Sequence, residues 1–180
     1  MEISYQRVDV NILEGETRTP EFLAKNPNGK IPLLEIASDR VLAESNAILY
    51  YLSQDTEYFS SDKYLQAQIM QWLAFEQYSH EPNIATSRYW ISILKQPEKY
   101  REQLKQKHKL GNAALKVMND HLSDRQFIVD DTYTIADIGL YGYTHVADEG
   151  GFNLDEYPAI KVWMKRIEEH PQHLLITEHD

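Results

Sequence analysis

The sequence predicts a small α/β domain followed by a larger all-helical one. Three observations carry this. Strand-like alternation is confined to the stretch before Glu44. A polar stretch, Ser53 to Ser61 (SQDTEYFSS), divides the chain. Beyond it, apolar residues recur at helical spacing to near the end. The domains are therefore drawn at residues 1–55 and 62–180, with a linker between.

The elements follow in chain order. Ile3 to Val10 (ISYQRVDV) alternates apolar and polar residues and carries β-branched side chains, so it is expected to be a strand. Thr19-Pro20 opens a short helix, with Thr19 as N-cap and Pro20 at the first helical position. The turn cluster Asn26-Pro27-Asn28-Gly29 stops it. Ile31 to Ile36 is a second strand, and Arg40 to Ala43 a third, joined at Ser38-Asp39. Ser45 to Ser53 then reads as a helix. After the linker, Asp62 to about His80 carries Leu65, Ile69, Trp72, Leu73 and Glu76 at helical spacing. Pro82 is expected to kink or break that helix, and Ile84 to Leu94 to continue it. Further helices are expected from Pro97 to about Leu122, from Thr134 to Ala147, and from Pro158 to near His170-Pro171.

Composition narrows the function. The chain has 180 residues, a net charge of -10, a pI near 5.1 and no cysteine. That length suffices for a sizeable core. The negative field repels phosphate backbones, which argues against a nucleic-acid partner. Without cysteine there is no disulfide, thiolate metal site or cysteine nucleophile in the chain. No run approaches the ~18 apolar residues that a membrane span requires, and no signal sequence is visible in MEISYQRVDV. A cytoplasmic location is the expectation.

Two motifs in Asn26 to Ile48 (NPNGKIPLLEIASDRVLAESNAI) bear on chemistry. Ile31-Pro32 is open to two readings. A proline is tolerated at the first residue of a strand. Alternatively the bond is cis, and the Ile31 N–H and C=O stand free of the ladder, able to pair with a peptide-like ligand. Glu44-Ser45 also has two readings. Ser45 is an ordinary helix N-cap. Or the helix N-terminus receives a carboxylate, and Glu44 supplies the charge for a neighbouring ammonium. Lys30 would then meet a second carboxylate. Carboxylate and amine, peptide backbone, carboxylate: this is the order of groups in glutathione.

NPNGKIPLLE followed by LAESNAILYYL resembles the glutathione-binding half of a glutathione S-transferase. In the helical half, Thr134-Ile135-Ala136-Asp137 is similar to the family's capping motif, a capping-box variant with Tyr133 and Ile138 expected as its hydrophobic staple. Tyr157-Pro158-Ala159-Ile160 with Trp163 is similar to its last main helix. The resemblance runs from about Ile3 to about Pro171. It implies an incomplete thioredoxin-like N-terminal domain, lacking the first strand and helix, followed by a helical C-terminal domain. By resemblance, Ile31 would pair with the cysteinyl unit of glutathione and Pro32 would hold the cis bend. Glu44 and Ser45 would bind the γ-glutamyl head, Lys30 the glycyl carboxylate, and Thr134 and Asp137 would serve folding. The implied activity is conjugation of the glutathione thiol, as co-substrate, to a small hydrophobic electrophile in detoxification. A homodimer, and no metal, are also implied.

The departure from the family lies before ISYQRVDV. The family has roughly 20–25 further residues there, a strand and a helix, holding the tyrosine, serine or cysteine that favours the thiolate of glutathione. No residue here is carried over to that role. Met1 as an internal methionine of a longer protein is one explanation. The alternative function is a non-catalytic binding or assembly module that has lost this segment. Three arrangements of the sheet are open: the remaining strands pair directly, another chain donates an element, or Ile3 to Gly15 is displaced. For the electrophile, the resemblance points to FEQYSHEPNIATSRYW, with Tyr78, Ile84 and Arg88 as candidates. The competing reading makes the aromatics core and pairs Arg88 with an acid such as Glu81. Arg88 or His80 is the candidate for positive charge near the sulfur. The histidines, His170, His173 and His145 included, do not suggest a metal site.

Overall fold

A computed structural model of the chain describes residues 3–174. It divides into two compact units, Met1–Phe59 and Ser60–Asp180.

In the first unit, Thr19 caps helix α1 (Pro20–Lys25). Its hydroxyl accepts from the Phe22 N–H at 3.2 Å, and Pro20 occupies the first turn, where no N–H is needed. Strands β1 (Leu33–Ala37) and β2 (Arg40–Ala43) form an antiparallel hairpin. Leu33 faces Ala43, Leu34 faces Leu42 and Glu35 faces Val41, with an irregularity between Glu35 and Ala37. Helix α2 (Ser45–Ser53) follows directly. The expected strand at Ile3 to Val10 is absent: these residues join no ladder. A strand needs a neighbour about 4.8 Å away, and an open slot separates Val8, Asp9 and Val10 from β1. Of the arrangements left open by the sequence, direct closure of the sheet does not occur among the described residues. The unit is lightly packed. Tyr58 is its one buried large apolar side chain among the described residues, and the residues of β1, β2 and α2 are mostly half-buried or exposed.

The second unit is helical. Asp62 caps helix α3 (Lys63–Phe75), accepting from the N–H groups of Tyr64 and Leu65 at 2.8 and 3.0 Å. Helix α4 (Glu81–Arg88) continues from it through a π turn at Glu76–His80, and a second π turn spans Tyr89–Ile93. Of the expected kink or break at Pro82, the break does not occur; the regular α-helix instead gives way to the π turn just before the proline. It sits in the first turn of α4. The wider turn before it carries the chain across the place where a proline lacks a donor and its ring would crowd the preceding carbonyl. Helix α5 (Arg101–Leu122) starts four residues later than expected, after turns over 97–100. Helices α6 (Ile135–Thr144) and α7 (Pro158–Glu168) complete the unit. Ile69, Leu73, Ile84, Leu115, Met118, Ile160 and Trp163 are among its fully buried side chains.

The capping box at α6 is the polar centre of this core. Thr134 accepts from the Ala136 N–H, and the Asp137 carboxylate accepts from the Thr134 N–H at 2.9 Å. The other carboxylate oxygen accepts from the Ile128 N–H and from Trp163 Nε1, both at 2.9 Å. Burial pushes the Asp137 carboxyl up, while the Trp163, Ile128 and Thr134 donors pull it down. Asp137 thus ties α6, α7 and the Ile128 strand-like segment into one network. The ring of Tyr133, the expected staple residue, lies against Phe127 and His170.

Candidate functional site

The loop between α1 and β1 is built by Asn26, which is buried. Its side-chain amide donates to the Lys30 carbonyl at 2.7 Å, and its oxygen accepts from the Asn28 N–H at 3.1 Å. Its main-chain carbonyl accepts from Gly29 N–H at 2.9 Å. Gly29 adopts φ +61°, and a Cβ there would lie 2.5 Å from the Arg18 guanidinium. The left-handed φ favours glycine here, while the Arg18 contact is with the far end of a flexible side chain. Arg18 in turn donates to the Asn28 carbonyl at 3.2 Å.

This scaffold presents Lys30, Ile31 and Pro32. The Ile31-Pro32 bond is cis, and β1 begins only at Leu33, so the Ile31 main chain lies outside the ladder. The Ile31 side chain is 47 % exposed. Glu44 sits across the loop, linked to it by the Asn28 side-chain amide at 3.4 Å from its carboxylate. Glu44 is the N-cap of α2, with φ 69° and ψ 116°, and Ser45 is the first helical residue rather than the cap. A non-glycine residue at such a φ costs on the order of 1–3 kcal/mol and is typical of sites that use a particular geometry. The exposed Glu44 carboxylate thus stands beside the N-terminus of α2, whose free N–H groups favour an anion. An anion at the helix end and a cation at Glu44 are met within one residue step. Asn26, Asn28 and Arg18 were not singled out in the sequence. The Asn-Pro-Asn-Gly cluster was the signal, but it reads as a turn and does not show that its amide reaches Glu44.

The candidates in the helical unit differ in exposure. Tyr78 is 89 % exposed on the π turn. Ile84 has no exposed surface at all, so its side chain is core and cannot line an open pocket, a correction to the expectation. Ile84 and Arg88 do share a strip, since Gly150 lies against the Ile84 carbonyl and the Arg88 N–H. Arg88 pairs with Glu149 at 2.6 Å rather than with Glu81, because the strip faces the Ala147–Gly150 turn. His80 is fully buried, and its Nε2 lies 2.9 Å from Thr144 Oγ1. Burial alone pushes its pKa down to about 3. A neutral buried imidazole offers no charge to a thiolate, which removes His80 as the helper. His145 stacks on Tyr141 and bonds the Tyr141 carbonyl through Nδ1 at 2.8 Å. Among the described residues no group of three or more His, Asp or Glu is arranged to hold a metal. Among the described residues no helix is long and apolar enough to cross a membrane.

Residues 1–54 match the glutathione S-transferase N-terminal domain, and residues 65–171 match the glutathione S-transferase C-terminal domain. The chain belongs to the glutathione S-transferase family. It is 31% identical over 163 residues to the glutathione S-transferase-like protein LUC7 of a Fusarium species, covering 84% of this chain and 71% of that one. A crystal structure of a glutathione S-transferase from Pseudomonas fluorescens superposes with a TM-score of 0.92 at 50% identity, covering 94% of this chain and 84% of the other. Ure2p in complex with glutathione superposes with a TM-score of 0.79 at 27% identity, covering 91% and 78%. This transferase-family chain therefore has the thioredoxin-like plus helical architecture, and a fold relative of it binds glutathione.

Proposed function

We propose that the chain binds glutathione on the loop around Ile31 and the start of α2. The N–H and C=O of Ile31, presented by the bend at Pro32, pair with the cysteinyl unit as an added strand would. Glu44 receives the γ-glutamyl ammonium. The N-terminus of α2, with Ser45, receives its carboxylate. Lys30 takes the glycyl carboxylate. The observation that supports this best is the placement of Glu44, set at a positive φ beside the cis-proline loop and linked to it by Asn28.

The reaction that follows is conjugation. The thiol loses its proton to solvent, the sulfur bonds to the electrophilic carbon of a small hydrophobic substrate, and the leaving group departs with the electron pair. The protein contributes orientation. A detoxifying role in the cytoplasm, a homodimer, and contact of the electrophile with Tyr78 and Arg88 belong to this reading.

A second reading, a non-catalytic glutathione-binding or assembly module, is favoured by one observation. The Thr19 hydroxyl near Ile31 is already engaged, accepting from Phe22 and donating to the Glu16 carbonyl, so it is not free to hold a thiolate. Retention on immobilised glutathione, followed by a conjugation assay with 1-chloro-2,4-dinitrobenzene, separates the readings. Retention with turnover supports the transferase. Retention without turnover supports the module. Failure of retention overturns both.

A further inference from the structure

Arg18 stands beside the candidate site without an acid to pair with. Arg7 pairs with Asp9 and Lys25 with Glu35, but Arg18 has no carboxylate partner among the described residues. Its main chain is nonetheless held. Thr17 before it is buried, its own N–H donates to the Gly15 carbonyl at 2.8 Å, and Thr19 after it caps α1. From this base the guanidinium donates to the Asn28 carbonyl at 3.2 Å, ten residues along the chain. It also fills the space beneath Gly29. Nη1 and Cζ lie 2.5 and 2.9 Å from the point where a Cβ on Gly29 would stand, and the Thr17 carbonyl oxygen lies 3.0 Å from it. The turn at residues 26–29 therefore rests on residues 17 and 18.

The turn passes this support on. Asn28 is held at its carbonyl by Arg18 and at its N–H by the buried Asn26. With both main-chain groups engaged, its side chain has a set direction. The Asn28 amide donates to Glu44 Oε1 at 3.4 Å, the one side-chain hydrogen bond of Glu44 among the described residues. That bond is long for an N–H···O contact, so it steers the carboxylate and leaves acceptor sites for a cation. We propose that Arg18 is a positioning residue for the amine end of the ligand, acting through Asn28 on Glu44. A planar guanidinium with several fixed donors suits such a mount better than a flexible ammonium. The proposal rests on the glutathione reading and adds to it. Preference for a ligand with a free γ-glutamyl amine then depends on a residue that does not touch that amine.

The test compares two ligands by calorimetric titration of the full chain. One is glutathione. The other is desamino-glutathione, which keeps both carboxylates and has hydrogen in place of the γ-glutamyl amine. Arg18→Ala and Asn28→Ala should each weaken glutathione about fivefold, and the double variant no more than either alone, since both act through one contact. Binding of desamino-glutathione should change less than about twofold in every variant. Arg18→Lys, which keeps the charge without the fork, is the second variant should Arg18→Ala unfold. It should weaken glutathione about threefold and leave the analogue unchanged. Equal losses on both ligands overturn the proposal, because direct attraction of the ligand carboxylates or a general loosening of the loop acts on both. Losses that multiply in the double variant overturn it too, as does unchanged glutathione affinity in either Arg18 variant. If the unaltered chain binds neither ligand, the glutathione reading itself falls, and the proposal with it.

Discussion

Glu44 combines an unfavourable backbone angle with an exposed carboxylate, a pairing that local folding alone does not reward. If it receives the ammonium of glutathione, Glu44→Gln removes a charge-assisted bond of about 1.5–3 kcal/mol. Affinity should fall roughly ten- to hundredfold, measured by calorimetric titration, with the urea midpoint almost unchanged. Asp137 is the opposite case, a residue of stability. Asp137→Ala leaves the buried Trp163, Ile128 and Thr134 donors without their acceptor. The expected loss is about 3–5 kcal/mol in urea unfolding. His80 sets a pH dependence. Its folded pKa of about 3 lies below the ordinary value of 6.5, so the unfolded chain takes up the proton first. Stability should therefore be intact above pH 6.5 and decline as pH falls from there toward 3, by up to about 1.4 kcal/mol per unit. His80→Gln should lose that part of the slope when urea midpoints are compared across the same range.

At the scale of elements, the sequence was most legible where local chemistry decides. Thr19 with Pro20, Asp62, and the Thr134–Asp137 box each mark a helix start that the structure keeps, because a cap needs only its own first turn. It was least legible where a partner decides. Ile3 to Val10 has the alternation of a strand, but alternation describes a face and cannot supply a neighbour. Pro82 signalled a kink or break, and the chain meets it with a π turn, beside which Ile84 and His80 are buried. In the site, the cis bend and Glu44 could be anticipated from NGKIPLLE and AES. The Asn28 link between them joins residues sixteen apart and is visible only in the fold. Gly111 gives a prediction of the same kind. It lies inside α5, where alanine is about 1 kcal/mol better by propensity. A Cβ there would come within 2.5 Å of the Phe152 ring. Gly111→Ala should therefore destabilise the chain by about 1–3 kcal/mol in thermal or urea unfolding, since the buried ring must shift.

At the scale of the whole molecule, the two units divide the labour unequally. The helical unit holds nearly all the fully buried apolar side chains, and Asp137 locks its helices together. The first unit carries the loop and helix start proposed to hold glutathione, on a hairpin whose outer edges pair with no other strand among the described residues. The chain belongs to the glutathione S-transferase family, and a relative of the same fold, Ure2p, is seen in complex with glutathione. The central claim is that the first unit holds the tripeptide at Ile31 and Glu44. The most direct measurement is an amide-resolved NMR titration of the full chain with glutathione. The account predicts saturable shifts concentrated at Lys30, Ile31, Glu44, Ser45 and Asn46, with the helical core unmoved. Absence of shifts at saturating glutathione, or shifts confined to residues beyond Ser60, would contradict it.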